Sequence, residues 1–312
     1  MNAIAKALGA LPPDRYLLAV SGGRDSMALL DAFVRHRPDP QTAVASFDHG
    51  TGVAAAEAVE LVVHECLRRG VSVIAGRAPE RASASRASES VLREARWNFL
   101  RAVAEERRAV IVTAHTLDDQ AETVAMRILR DASARGLAGM AAPSPGVVRP
   151  LLGIRRATLA RYAEQAAVPF VEDPSNANPV YLRNRLRAHL LTAAEAAQPG
   201  FGDALVSIGT RAAGWRSEMA ALVDTLGVQR VGDALVVDAG VIASLSADGL
   251  SVVWPEVAAR GGLVLDRRGV ARLAAWSARA TAGQRMPLSG GGTVERTART
   301  FVVRRGRAGA ED

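Results

Sequence analysis

A doubly wound α/β domain with a parallel sheet, followed by a smaller, mostly helical domain, is the fold this chain predicts. Three observations carry that expectation. Over residues 1–150, short β-branched runs alternate with helical patterns. Polar residues collect just after those runs, at the strand ends where open α/β sheets bind ligands. Beyond Gln198-Pro199-Gly200 the alternation gives way to an amphipathic helix, a Val-rich strand and an Arg-rich tail. At roughly 150 residues per domain the 312 residues make two domains, and the change of pattern sets them at 1–198 and 199–312.

The first predicted strand, 16–20, runs through Ser21-Gly22-Gly23-Arg24-Asp25-Ser26 into a helix over 25–35. The second, 42–47, ends at Asp48-His49-Gly50 before a helix over 54–69. A third, 71–75, leads through the Ser/Ala/Arg stretch 81–86, which reads as a mobile surface loop, to a helix over 88–107. The fourth, 109–114, is followed by His115-Thr116-Leu117-Asp118-Asp119 and a helix over 118–130. A Gly-, Pro- and Ser-rich loop over 131–150 precedes a helix near 154–167 and the arginine cluster Arg183-Asn184-Arg185-Leu186-Arg187. In the second domain a strand near 234–237 and a terminal strand pair ending at 301–305 are expected.

Composition narrows the function classes. Hydrophobic residues are 49% and charged residues 23% of the chain, the balance of a folded globular protein rather than a disordered or fibrous one. The longest apolar runs, such as 109–114, fall far short of the ~20 residues that span a bilayer. Residues 1–11 show no secretory-signal pattern. Cys66 is the only cysteine, which excludes disulfides, Cys-based zinc sites and CxxC redox chemistry; a cytoplasmic protein without a membrane partner is expected. Cys66 itself lies in a helical pattern and reads as a small core residue. The 39 Lys and Arg against 32 Asp and Glu give a net charge of +7, with Lys6 the only lysine. Such a balance fits an anionic partner, and a GC-rich genome would produce the same arginine bias.

Strand, Ser21-Gly22-Gly23-Arg24-Asp25-Ser26, then helix is a phosphate cradle, because paired glycines let backbone N–H groups turn toward an anion at a helix N-terminus. The GxxxxGK[ST] pattern is absent, and this disfavours transfer of a terminal phosphate. Asp118, Asp119 and Glu122 crowd the first turn of one helix, with Asp119 and Glu122 sharing a face. Acids there complement the helix dipole, and they also present charge to the strand-end cleft, where a cationic amine or a Mg²⁺-bound phosphate finds compensation. His115 reads as a substrate contact or a structural hydrogen-bonder, and Asp48 as a nucleotide or metal contact or a helix cap. Arg96 either reaches the cleft or lies solvated. Arg183, Arg185 and Arg187 form a solvated face or contact nucleic-acid phosphates.

The Ser21 to Ser26 segment resembles the PP-loop of the N-type ATP pyrophosphatases, which split ATP between its α- and β-phosphates and adenylate a carbonyl oxygen. Asp48-His49-Gly50, Ala95-Arg96-Trp97, the run from Ala114 to Thr123 and Arg135-Gly136-Leu137-Ala138-Gly139-Met140 narrow the likeness. With Arg149-Pro150-Leu151-Leu152, Glu172-Asp173-Pro174-Ser175-Asn176 and the arginine cluster, the chain through residue 190 resembles the tRNA(Ile)-lysidine synthase family.

That resemblance implies a sheet of the PP-loop ATP pyrophosphatase type and a ligase activity. The C2 oxygen of the wobble cytidine in CAU-anticodon tRNA(Ile) attacks the α-phosphorus of ATP and releases pyrophosphate; the ε-amine of free L-lysine then displaces AMP. It also implies site residues: Ser21, Gly22, Gly23, Arg24, Asp25, Ser26 and Asp48 for ATP, with Asp25 and Asp48 holding Mg²⁺. Asp25, Asp119 and Glu122 would be catalytic, and His115, Asp118, Asp119 and Glu122 would meet lysine or cytidine. Arg96, Arg183, Arg185 and Arg187 would contact tRNA, together with the second domain. Oligomeric state is left open, a homodimer being one arrangement. The alternatives are another PP-loop tRNA-modifying or amidating enzyme and a catalytically degenerate tRNA-binding paralogue. A lone Cys66 argues against a paired-cysteine thiolase. Three departures from the family pattern stand out: Thr116 in place of a second histidine, Thr51-Gly52 in place of Leu-Arg, and Asp131-Ala132-Ser133 in place of a glycine-rich turn.

Overall fold

Adjacent residues Leu17 and Leu18 on one strand are both fully buried, on opposite faces of a sheet covered by helices on each side. The computed structural model in which this is seen describes residues 3–39, 41–78, 89–172, 178–289 and 291–306. The stretch 81–86 and residues 173–176 of the Glu-Asp-Pro-Ser-Asn motif lie outside the described residues. The chain divides into two units, Met1–Leu129 with Gly139–Gly209, and Arg130–Ala138 with Thr210–Asp312.

In the first unit α1 (Ala3–Gly9), β1 (Tyr16–Ala19), α2 (Arg24–His36), β2 (Ala43–Asp48) and α3 (Val53–Arg68) are followed by β3 (Ser72–Arg77) and α4 (Glu89–Arg107). Then come β4 (Val110–Val112), α5 (Leu117–Leu129), β5 (Val147–Val148) and α6 (Arg156–Gln165). The run α7 joins Leu182–Arg185, a π-helical stretch Leu186–Leu191 and Thr192–Ala197, and α8 (Phe201–Thr225) begins beyond it. The five strands pair in parallel in the order β3-β2-β1-β4-β5, with Leu17 opposite Ala43 on one side and Ile111 on the other. Strand order reverses between β1 and β4, so the loops at their carboxyl ends flank the crevice where such sheets take ligands.

One face of the sheet carries Leu18, Val20, Val44 and Val112 against Met27, Leu30 and Phe33 of α2 and Leu159 and Ala163 of α6. The other carries Leu17, Ala43, Ala45 and Ile111 against Leu100, Val103 and Ala104 of α4. Burial on both faces explains why these strands read as continuous apolar runs. The four expected strands and the helices after them are present within one to three residues of their expected ends. Strand β5 was not expected, because two valines between Pro145 and Pro150 carry no period. Among the described residues no helix is long and apolar enough to cross a membrane.

The second unit is built on a five-stranded antiparallel sheet, ordered β6 (Gln229–Val231), β7 (Ala234–Asp238), β10 (Thr300–Arg305), β9 (Gly292–Arg296) and β8 (Arg285–Leu288). Helices α9 (Ala239–Ala243), α10 (Ala247–Arg260) and α11 (Arg267–Ser277) start at Asp238, Ser246 and Asp266, whose side chains accept from N-terminal amides. Its core centres on Trp254, which meets Phe301 edge-on at 5.5 Å and donates from Nε1 to Ser277 Oγ at 2.8 Å. The sheet is larger than the helical domain with a strand pair that the sequence suggests. Every residue of β6 is exposed, β8 contains Pro287, and β9 begins in a glycine run, so none carries a clear alternating signal.

Candidate functional site

The turn from β1 into α2 is shaped by two residues. Gly22 has φ +81°, and a Cβ there would lie 2.6 Å from the Ala58 carbonyl oxygen and 2.7 Å from Ala58 Cβ, so glycine is required both for conformation and for space. Ser26 Oγ donates to the Gly23 carbonyl at 2.8 Å and accepts from the Ser21 amide at 3.1 Å, closing the loop on itself. Gly23 caps α2 without a side-chain bond, which leaves the first amides of the helix directed outward. The Val171 amide donates to the Gly22 carbonyl at 3.0 Å, fastening the segment after α6 to the loop.

The loop borders a cleft of about 670 Å³, within the usual range for small-molecule sites. Ser21, Gly23, Arg24, Asp25 and Ser26 form one edge. Ala45, Phe47, Trp97 and Leu100 form an apolar wall, and Arg96, His115, Asp119, Arg156 and Arg187 bring charge. This composition suits a ligand with a flat apolar part and an anionic part.

Three carboxylates and three guanidiniums are interlocked beside the cleft. Arg156 reaches Asp119 Oδ1 at 2.7 Å, Glu122 Oε1 at 3.0 Å and Asp25 Oδ2 at 3.4 Å. Arg183 bridges Glu122 Oε2 at 2.7 Å and Asp119 Oδ1 at 3.0 Å, and Arg187 holds Glu122 from Nε at 2.7 Å. The Arg156 amide donates to Asp118 Oδ2 at 2.7 Å, which fixes the start of α6. Thr116 donates to Asp119 Oδ2 from its amide at 2.8 Å and its hydroxyl at 2.7 Å, a capping-box arrangement that orients Asp119 at the start of α5.

Charge compensation decides the titration of these groups. Burial pushes Asp119 and Glu122 up, but the guanidiniums, and for Asp119 the Thr116 bonds, outweigh it and hold both below the usual carboxylate range. Burial dominates at Asp25, which sits above its ordinary value despite Arg156. Burial also lowers His115 to about 4, so the ring, bonded through Nδ1 to Thr113 Oγ1 at 2.7 Å, is neutral near pH 7. Behind the cleft, burial pushes the Cys66 thiol up to about 11, which makes it a core residue and not a nucleophile.

The structure gathers most of the residues singled out from sequence and separates others. Asp48 does not line the cleft: it is buried, accepts from the Gly50 amide at 2.7 Å and lies 3.4 Å from Arg77. Glu122, 2% exposed at its side chain, lies beneath the arginines and outside the cleft lining. Arg183 and Arg187, four apart on α7, share the face that meets Glu122, while Arg185 turns away and donates to the Pro179 and Val180 carbonyls at 2.8 and 2.9 Å. Arg156 and Thr116 were missed. Arg156 carries no local sequence signal, because its partners come from other helices; Thr116, noted only as a departure from the family pattern, takes its role from its capping position before Asp119. Of the departures, Asp131 takes φ +52°, the conformation a glycine would adopt, and pairs with Arg267 inside the second unit.

Residues 1–194 match the PP-loop domain family. The chain is 34% identical over 209 residues to the tRNA(Ile)-lysidine synthase of Parasynechococcus marenigrum, covering 62% of this chain and 60% of that protein. It is 41% identical over 184 residues to that of Novosphingobium aromaticivorans, covering 56% of each. It thus spans less than two thirds of the length of these relatives. Among solved structures, the U34-tRNA thiolase NcsA from Methanococcus maripaludis aligns with a TM-score of 0.55 at 18% identity, over 67% of this chain and 76% of that one. At that identity the likeness is one of fold.

Proposed function

This chain belongs to the PP-loop domain family, and from that premise we propose that it is a tRNA(Ile)-lysidine synthase. The wobble cytidine C2 oxygen of a CAU-anticodon tRNA(Ile) attacks the ATP α-phosphorus and pyrophosphate leaves. The ε-amine of free L-lysine, having lost a proton, then attacks C2 and AMP leaves, forming the carbon–nitrogen bond. The observation that carries this reading is the Ser21 to Ser26 loop opening on a mixed apolar and cationic cleft, in a chain whose relatives bear that name.

The residues fit a nucleoside triphosphate. The outward amides of α2 and of the tight Gly22 turn donate to phosphate oxygens, and Arg156 and Arg187 compensate their charge. Phe47 and Trp97 offer flat apolar surface to a base. Among the described residues no group of three or more His, Cys, Asp or Glu could hold a metal by itself. Asp25 is the carboxylate that the phosphate loop itself brings to the cleft, so a Mg²⁺ ion would be held by Asp25 together with substrate phosphates, its usual mode, and Asp48 is not part of that set. Magnesium there would neutralise the leaving pyrophosphate.

Asp119 lines the cleft with its oxygens engaged by Arg156, Arg183 and Thr116, so an incoming ammonium reaches it by displacing a guanidinium, whereas Glu122 lies outside the cleft lining and acts through the guanidiniums it holds. Arg96 lines the cleft, and burial, with Arg93 and Arg183 nearby, lowers its guanidinium from the usual value, an arrangement that favours an anionic ligand such as an RNA phosphate. ATP–pyrophosphate exchange with transcript tRNAs tests the reading. Exchange that depends on a CAU anticodon is expected, and exchange indifferent to the anticodon overturns it.

A further inference from the structure

Asp25 lies near the start of α2 and Arg156 at the start of α6, and the two meet at 3.4 Å at the cleft. Six residues further along each helix a second pair meets: the Tyr162 hydroxyl donates to Asp31 Oδ2 at 2.6 Å. Both pairs join the same two helices, as rungs at levels about 9 Å apart at 1.5 Å per residue and about a third of a turn apart around each helix. The cleft rung is polar and partly open, with side chains 27% and 18% exposed, while the inner rung is closed, with Asp31 fully buried.

Apolar contact already joins the helices, since Met27, Leu30, Leu159 and Ala163 share one core. Placing a carboxylate inside that core is costly unless every lone pair is used. Asp31 uses them: Oδ1 accepts from Arg69 at 2.6 Å, and Oδ2 accepts from Arg35 at 2.7 Å as well as from Tyr162. Arg35 belongs to α2 itself and ties nothing to it, Arg69 caps α3, and Tyr162 is the one donor from α6. Ridge packing sets the coarse register of the two helices, and a directional bond to a fully buried acceptor adds a constraint that removal of one oxygen lifts.

We propose that Tyr162 is a positioning residue for the phosphate loop: its hydroxyl, held by Asp31, fixes α6 along α2 and thereby sets the Asp25–Arg156 pair at the cleft. The consequence for nucleotide binding rests on the ATP reading above; the consequence for loop geometry does not. Tyr162→Phe removes one oxygen and keeps the ring that fills the core. Arg35→Ala strips an ion pair from the same carboxylate without touching the connection between helices.

The test is amide hydrogen exchange on the full chain without nucleotide, followed by ATP affinity. In Tyr162→Phe, exchange over 21–27 and 156–160 is expected to rise about tenfold, with ATP affinity falling by a similar factor, as small misplacements of binding groups do. In Arg35→Ala neither should change, and exchange in β7 and β10 should be unchanged in both variants. Unaltered exchange over 21–27 in Tyr162→Phe, or an equal rise in Arg35→Ala, overturns the proposal. If the unmodified chain fails to bind ATP, the nucleotide reading fails, and the exchange measurement still decides the role of Tyr162.

Discussion

Arg187 donates from Nε to Glu122 Oε1 at 2.7 Å, joining an arginine expected to touch RNA to a carboxylate expected to meet lysine or cytidine. With Arg156 and Arg183 also on Glu122, that carboxylate is occupied and poorly basic. Under the proposed function its work is to hold guanidiniums at the cleft edge for anionic substrates.

Replacing Glu122 by Gln should therefore weaken both half-reactions, because Arg156 and Arg187 serve the phosphates used in each. Stability should fall by about 3 kcal/mol, the low end for breaking a buried pair, since Arg187 is 42% exposed. Folding lowers the pKa of Asp119 and Glu122, so their stabilisation is complete above the ordinary 3.8 and 4.5 and is lost as pH falls through the lowered values. Urea titration from pH 6 down to 3 should show that acid loss in the parent chain and much less of it in Glu122→Gln. Loss of lysine transfer alone, with exchange intact, would return Glu122 to the amine site.

Asp25→Asn should do the opposite to stability. Burial raises this carboxyl, so the ionised form costs the fold free energy above its ordinary pKa of 3.8, and a neutral isostere removes the cost. The melting temperature should rise while pyrophosphate release drops about 100-fold or more, the pattern of a site that trades stability for charge. A destabilised variant with normal release contradicts the assignment.

What was legible in the sequence follows from signal length. The βα repeat was readable because Tyr16 to Val20 and its sister strands are short apolar runs bounded by turn residues. Asp25, Asp119 and the Ser21 to Ser26 loop were readable because their placement after strands fixes where they go. Arg156 was not, since its three partners come from two other helices far away in the chain. Arg183 and Arg187 were found as a cluster but paired with solvent or RNA, because charge compensation depends on which helix packs opposite. The sheet of the second unit was largely hidden by its exposed and Pro- or Gly-containing strands.

His115 is expected to tax stability at mildly acid pH. Its folded value of about 4 lies below the ordinary 6.5, so between these values the unfolded chain binds more protons and stability rises with pH. His115→Gln should flatten that slope, as read by urea midpoints at pH 4.5, 5.5 and 6.5. An unchanged slope would show that the ring protonates freely in the fold.

Gly22→Ala should distort the phosphate loop. A Cβ 2.6 Å from the Ala58 carbonyl oxygen, on a backbone at φ +81°, should cost about 2 kcal/mol and reduce ATP affinity at least tenfold. Equilibrium dialysis with ATP and a denaturation midpoint check both effects.

The central claim is that this cleft couples ATP cleavage to attachment of lysine to a wobble cytidine. Incubating the chain with ATP, Mg²⁺, isotopically labelled lysine and a CAU-anticodon tRNA(Ile) transcript, then analysing its nucleosides by mass spectrometry, tests it directly. The account predicts labelled lysidine at the wobble position, formed one for one with pyrophosphate and abolished in Asp25→Asn. An unmodified wobble cytidine in the presence of all substrates, or a modified base without lysine label, would contradict it.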